Sequence, residues 1–345
     1  MSQVLGKLDD YPRASLVSGP TPIEPAPRLS GELGLEVLIK RDDLTGLAFG
    51  GNKNRQLEFY FGAAREAGAD TVLITGAVQS NYARTAAAAA ARHGLAMHIQ
   101  LEERVPHVDD TYRLSGNVLL DDLLGAVRHS YPDGEDEAGA DAAIRQIADD
   151  LRARGKRPYV IPLGPDNPPL GALGYVVAAR EIVAQLDAAD TKVDAVVAAS
   201  GSGFTHAGLL VGLRALGSQV PLYGICVRRD AARQRPRIAD KCRALAPMLG
   251  IVDPVTDADI LLDDDCLAPG YGRINDATMA AMLLTARSEG LFLDPPYTGK
   301  TMAGLIHLAR AGDLAAGSRV LFIHTGGTPA LFAYAPELRE RMSTA

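Results

Sequence analysis

The sequence predicts an α/β protein made of two open, twisted, parallel-sheet domains. Three observations carry that expectation. The chain of 345 residues is longer than one hydrophobic core normally serves. Short apolar runs alternate with longer amphipathic ones, the pattern of βα units joined into parallel sheet. A segment dense in proline and glycine, 163–169, divides one such series from the next.

The elements follow in order. Residues 39–43 read as a strand end running into charged turn residues, with a helix opening after Gly50 and Gly51. Thr71–Thr75 reads as a buried strand and Tyr82–His93 as a helix whose alanines at 86–91 imply close packing. Ala96–Leu101, Ala126–Ser130 and Pro158–Pro162 are expected strands, with helices over Asn117–Leu124 and Ala138–Arg154. A second series has helices at Gly171–Leu186, Thr205–Leu216, Ala231–Leu249 and Asn275–Glu289. Its strands are expected at Ala195–Ala199, Leu222–Val227 and Val320–His324. The expected division is 1–54 plus 166–345 for a large domain and 55–165 for a small α/β domain.

Composition excludes several classes of function. A hydrophobic content of 47% with 22% charged residues is ordinary for a globular protein. A net charge of −7 argues against nonspecific binding to nucleic acid or to an anionic membrane. The first 13 residues lack the apolar core of a signal peptide, and no apolar run is long enough to span a bilayer. Cys226, Cys242 and Cys266 are odd in number and widely spaced, which fits neither a disulfide framework nor a zinc site. A reducing cytoplasm is the expected compartment. His93, His98, His107, His129 and His307 show no metal-ligand spacing, and Asp263–Asp265 reads as a solvated acidic turn, so no metal is expected.

Five segments carry chemistry. In Gly50-Gly51-Asn52-Lys53-Asn54-Arg55 a lysine follows two glycines at the mouth of a helix. Glycine permits close backbone approach to a flat ligand, and a lysine amine is nucleophilic where its surroundings lower its pKa. Lys53 is a candidate Schiff-base lysine for pyridoxal phosphate, or else a solvated side chain after a turn. Ser200-Gly201-Ser202-Gly203-Phe204-Thr205 lies between a strand and a helix, where outward N–H groups and the helix dipole suit a phosphate. Its spacing departs from the dinucleotide pattern, which leaves a monophosphate cup or a structural turn. Gly76–Tyr82 is another strand-to-helix loop, in which Ser80 and Asn81 cap the helix, hold a substrate carboxylate, or do both. Tyr297 in Asp294–Lys300 is placed on a loop to stack on a ring or to handle a proton. Thr325, in His324-Thr325-Gly326-Gly327, offers a hydroxyl beside glycines.

These motifs, with Lys40–Asp43, Gly270-Tyr271-Gly272 and Met302-Ala303-Gly304, run in order through nearly the whole chain. Together they resemble the pyridoxal-phosphate family that contains D-cysteine desulfhydrase and 1-aminocyclopropane-1-carboxylate (ACC) deaminase. The resemblance implies the tryptophan-synthase-β-like fold, with the cofactor in the cleft between two domains, and a homodimer. It implies that Lys53 carries the cofactor, with Asn52, Asn81, Ser200, Gly201, Ser202, Gly203, Thr205, Tyr297 and Thr325 around it. Ser80, Asn81, Tyr82 and Thr298 would meet the small amino-acid substrate. Lys53, Ser80, Tyr271 and Tyr297 would be the catalytic set.

ACC deaminases usually carry glutamate after the ring-facing tyrosine and leucine in the His-x-Gly-Gly loop, where this chain has Thr298 and Thr325. A hydroxyl stabilises a protonated pyridine less than a carboxylate does. A weaker electron sink suits loss of a stable thiolate better than cyclopropane opening. The favoured reaction is therefore α,β-elimination, with D-cysteine yielding pyruvate, ammonia and sulfide, and with Lys53 or a nearby tyrosine as the base. L-Cysteate sulfo-lyase, ACC deaminase and a ligand-binding relative without turnover are the alternatives. Gln56, Tyr82, Phe204 and Pro296 depart from the family pattern and bear on which substrate is used.

Overall fold

Continuous apolar runs such as Thr71–Ala77 are buried on both faces, which is what a strand inside a helix-covered parallel sheet requires. The computed structural model describes residues 5–106, 108–162 and 167–344, and among these ten strands form two sheets. The strands are β1 (Ile23–Pro25), β2 (Glu36–Lys40), β3 (Thr71–Ala77), β4 (Ala96–Glu102) and β5 (Val127–Tyr131). They continue with β6 (Pro158–Ile161), β7 (Ala195–Ser200), β8 (Leu222–Cys226), β9 (Leu261–Asp263) and β10 (Arg319–Ile323). The large sheet has the order β1-β2-β10-β7-β8-β9 and the small one β5-β4-β3-β6. Every pairing is parallel except β1 with β2.

The helices are α1 (Pro27–Leu33), α2 (Asn52–Glu66), α3 (Asn81–His93), α4 (Asp110–Leu114), α5 (Gly116–Leu123), α6 (Glu137–Ala153) and α7 (Leu173–Ala188). After them come α8 (Phe204–Ala215), α9 (Ala231–Leu249), α10 (Asp276–Glu289), α11 (Lys300–Ala311), α12 (Ala330–Ala333) and α13 (Ala335–Thr344). Strand alternation sorts the core. Val196, Ala198, Leu321 and Ile323 face one layer of helices, while Ala195, Val197, Val320 and Phe322 face the other. In the small sheet Val72 and Ile74 pack under α2 and α3, and Leu73 packs under α6 with Ile144 and Ala148. The alanines of α3 at 86–90 are all buried, as their run implies.

The expected strands and helices are present with ends shifted by one or two residues, as helix and strand ends commonly are. The stretch expected as one helix from Gly171 begins with a 3₁₀ turn, Leu170–Ala172, before α7. Helices α1, α4, α11, α12 and α13 and the short edge strands β1 and β9 are additional to the sequence expectation, and neither three-residue strand offers enough periodicity to read. Asp263 departs from the expected solvated turn, because pairing with β8 leaves its side chain 9% exposed. Tertiary folding brings it together with Asp265 and His307, two residues that sequence spacing keeps apart. Of the expected domain boundaries, 54/55 falls within α2, and 165/166, like His107, lies outside the described residues. No described helix is long and apolar enough to cross a membrane.

Helix α2 is fixed to β2 by a buried ionic cluster. Arg55 Nη2 donates to Asp42 Oδ1 at 2.8 Å and Arg55 Nη1 to Glu181 Oε2 at 2.9 Å. Lys40 Nζ reaches Glu181 Oε1 at 2.5 Å, and Tyr175 Oη donates to Asp42 Oδ2 at 2.6 Å. Burial pushes the Asp42 carboxyl up, but the charge and hydrogen bonds of Arg55 and Tyr175 outweigh it and hold the group below its ordinary value. Replacing Arg55 with Met should leave Asp42 buried without its main counter-charge. We expect a loss of about 3–5 kcal/mol of stability, read as a lower midpoint in denaturant titration.

Candidate active site

The cleft opens where chain segments leave the C-terminal ends of β2, β3, β7 and β10, the edge at which open α/β sheets hold ligands. After β2, Gly50 (φ 65°) and Gly51 (φ 109°) turn the chain into α2. A Cβ on Gly50 would lie 1.9 Å from the Asp43 carbonyl oxygen, so only glycine fits that turn. Lys53 follows in the first turn of α2, with its Nζ 4.9 Å from the Tyr82 ring centre and 3.4 Å from Gln56 Oε1. Burial lowers the amine to about 8, and no carboxylate opposes the shift.

Lys53 lines two hollows. One is lined by Asn52, Asn81, Gly201, Ser202, Gly203, Thr205, Tyr297 and Thr325. Helix α8 begins there, and Gly203 at its N-cap has no side chain to occupy the exposed N–H groups. The Thr205 hydroxyl accepts from Asn52 Nδ2 at 2.9 Å and Gln56 Nε2 at 3.1 Å. Gln56, one of the departures from the family pattern, thus touches both the lysine and the anion cradle. Lys241 brings a cation to the underside of this loop, with Nζ 4.6 Å from the Phe204 ring centre.

The other, larger hollow is lined by Ser80, Tyr82, Tyr271, Tyr297 and a set of charged residues from both sheets. Ser80 caps α3 by accepting from the Ala83 N–H at 3.1 Å, so its capping role holds while the residue also borders the cleft. Tyr271 and Tyr297 meet with oxygens 2.7 Å apart. Burial raises both phenols above their ordinary value, Tyr297 more strongly because Tyr271 adds to the effect. The Tyr82 hydroxyl is buried and has no hydrogen-bond partner.

Two expected residues are not on the walls. Ser200 ends β7 with its hydroxyl 3.1 Å from His206 Nδ1 and 3.0 Å from Gln234 Nε2, sealed below the loop. Thr298 lies in a tight turn over 295–299 that turns Tyr297 to the cleft and Thr298 inward. Its hydroxyl donates to Asp294 Oδ1 and accepts from the Asp294 N–H, both at 2.7 Å.

Other residues were missed by the sequence reading. Asp294 is buried, its carboxyl pushed up to about 6 by burial, and its Oδ2 accepts from Asn81 Nδ2 at 3.3 Å. Arg84, buried behind Asn81, donates to Asn117 Oδ1 at 3.1 Å and to the Gly50 carbonyl at 3.3 Å. Glu102, Arg104, Glu137, Arg228, Arg229 and Arg237 line the larger hollow. Asp294 belongs to the Asp294–Lys300 segment, whereas the arginines carry no sequence signal beyond the pair Arg228-Arg229.

The sequence profile of the Pyridoxal-phosphate dependent enzyme family matches residues 14–326. The chain belongs to this family. It is 46% identical over 334 residues to a D-cysteine desulfhydrase of Salmonella choleraesuis (strain SC-B67), covering 97% of this chain and 99% of that protein. The D-cysteine desulfhydrase of Klebsiella pneumoniae (strain 342) matches to the same extent, with 46% identity over 97% of this chain and 99% of the relative. Among solved structures, an ACC deaminase homologue superposes with a TM-score of 0.88 at 37% identity, covering 99% of each chain. The processed form of threonine deaminase isoform 2 from Solanum lycopersicum shares the fold, with a TM-score of 0.66 at 18% identity over 99% of this chain and 88% of that one. This is the two-sheet, tryptophan-synthase-β-like architecture expected from the motifs.

The site fits pyridoxal phosphate. A buried amine with a lowered pKa suits the aldehyde, the glycine-lined helix N-terminus suits the phosphate, and both line one hollow. The amine itself offers a direct check. With its pKa near 8, about a tenth of Lys53 side chains are neutral at pH 7. In cofactor-stripped protein, acylation of Lys53 mapped by mass spectrometry should rise about tenfold per pH unit and level off above about pH 8. A rate still climbing steeply between pH 9 and 10 would contradict the assignment.

Proposed function

We propose that the chain is a carbon–sulfur lyase that eliminates the β-substituent of a small amino acid, with D-cysteine as the preferred substrate. The observation that carries this reading is the Tyr271–Tyr297 hydroxyl pair, which borders the same hollow as Lys53 and Ser80. The 46% identity to proteins named D-cysteine desulfhydrase supports the same substrate.

Bound pyridoxal phosphate supplies the electron sink that makes an amino acid's α-proton acidic. Asn52, Asn81, Gly201, Ser202, Gly203, Thr205, Tyr297 and Thr325 would hold it beside Lys53. The N–H groups opening α3, with Ser80 and Asn81, would grip the substrate carboxylate, and Tyr82 would close the wall beside it. Lys53 is the base, because burial favours its neutral amine. The tyrosine pair is the acid, because burial keeps both phenols protonated. The C–S bond breaks with its electron pair leaving on sulfur, which takes a proton from Tyr271 or Tyr297. Water completes the release of pyruvate and ammonia, with sulfide as the third product.

Ser200 is proposed to act from beneath the phosphate loop and Thr298 through Asp294, neither by direct contact. The division into 1–54 plus 166–345 and 55–165 remains our proposal for the domains. A homodimer follows from the family resemblance, and the exposed Leu114, Leu119, Leu123 and Val127 offer an apolar face for it. Three buried free cysteines support a reducing cytoplasm.

The test is pyruvate release by the cofactor-loaded protein from D- and L-cysteine, β-chloro-D-alanine, L-cysteate and ACC. D-Cysteine and β-chloro-D-alanine should give pyruvate. Ketobutyrate from ACC alone would overturn the reading. Tyr297→Phe should lower kcat for D-cysteine by about 10²–10⁴-fold. Its effect on β-chloro-D-alanine should be far smaller, since chloride leaves without a proton.

A further inference from the structure

The larger hollow carries more positive charge than the elimination uses. Arg228 and Arg229 follow β8, and Arg237 stands in α9, all on the large-sheet side. All three converge on one carboxylate from the other side, Glu137 in the first turn of α6. Arg228 Nη1 lies 3.0 Å from Glu137 Oε1, Arg229 Nη2 contacts the same oxygen, and Arg237 Nη2 contacts Oε2. Arg228 Nη2 also donates to the Gly134 carbonyl at 3.0 Å.

One carboxylate cannot satisfy three guanidiniums. Arg228 Nε and Arg229 Nη1 are buried without an acceptor, on side chains only 9% and 14% exposed. Burial, reinforced by Arg228 and Arg237, pulls Arg229 down to about 10. Arg104 lines the same wall but is committed to Glu102 at 2.7 Å, and Asp141 stands one turn beyond Glu137 on α6. The cluster is therefore a forked, partly desolvated cation site with donors to spare, open to the hollow that Lys53 borders. Guanidinium forks in that state match oxyanions.

We propose that Arg228, Arg229 and Arg237 form an oxyanion subsite of the substrate cleft, which Glu137 fills in the free protein as a displaceable carboxylate. The ligand class is a tetrahedral oxyanion, either free sulfate or a sulfonate carried on a substrate's β-carbon. Glu137 then acts as a specificity-determining residue: while it occupies the fork, an uncharged thiol enters without competition and a sulfonate must expel a carboxylate. The inference rests on the reading of this hollow as the substrate's.

The test is calorimetric titration of the cofactor-loaded protein with sulfate, ionic strength being held constant with chloride. Sulfate should bind the wild type weakly and compete with D-cysteine, and E137Q should bind it at least about tenfold more tightly. R237M should bind it at least about tenfold more weakly than the wild type. If E137Q does not fold, Glu137→Asp, whose shorter side chain withdraws from Arg237, should tighten sulfate by a smaller factor. Equal sulfate affinity in the wild type, the Glu137 variant and R237M would overturn the proposal and leave Glu137 as an ion-pair strut between the two sheets. Normal D-cysteine turnover with that indifference would sink the subsite alone. Sulfate tightening without turnover of any amino acid would sink the lyase reading alone.

Discussion

The pairing of Arg55 with Asp42 is the constraint on which the rest of the site depends. Asp42 lies just past β2, and Arg55 lies two residues after Lys53 on α2. Once that pair is buried and shared with Glu181 of α7, the first turn of α2 has little freedom of rotation or translation. The direction of Lys53 is then set by helix geometry. A buried ion pair is a poor source of net stability, because desolvation offsets most of its attraction. What it supplies is a definite register, since a helix slipped by one residue would leave two charges buried apart.

The second sheet reaches the same point by hydrogen bonds. Asn117 of α5 donates to Asn81 Oδ1 at 2.9 Å and to the Gln79 carbonyl at 3.1 Å. Arg84 extends that chain to the Gly50 carbonyl, and Asn81 extends it to Asp294. Gly327 makes room for the last contact, because a Cβ there would lie 2.4 Å from Asp294 Oδ2. Loops from both sheets are thus locked together by buried polar groups that supply one another's hydrogen bonds.

Much of this was legible in the sequence because the glycine-rich turns and their flanking polar residues are local. A turn that needs positive φ and a helix that needs an open N-terminus leave their mark within a few residues, as around Gly50–Lys53 and Gly201–Thr205. Alternating apolar runs fixed the expected strands for the same reason. Side-chain direction was less legible. Ser200 and Thr298 belong to the right segments, yet the end of a strand and a tight turn point them away from the cleft. Contacts between distant segments were not legible at all. Glu137 and Arg237 are 100 residues apart, and nothing in either segment signals the other.

Burial also explains how one cleft can hold both a neutral amine and neutral phenols. Removing water disfavours whichever form is charged, so it lowers Lys53 and raises Tyr271 and Tyr297. A neutral amine and a pair of neutral phenols coexist there, the phenols hydrogen-bonded to each other. The same argument reaches Thr298. Burial pushes Asp294 up to about 6 even though the Thr298 hydroxyl and N–H oppose the shift. A glutamate at that position would remove a donor and set a second carboxylate beside the first, and one of the two would have to take a proton. Threonine keeps Asp294 an acceptor, and through its other oxygen Asp294 holds Asn81 on the wall of the cleft.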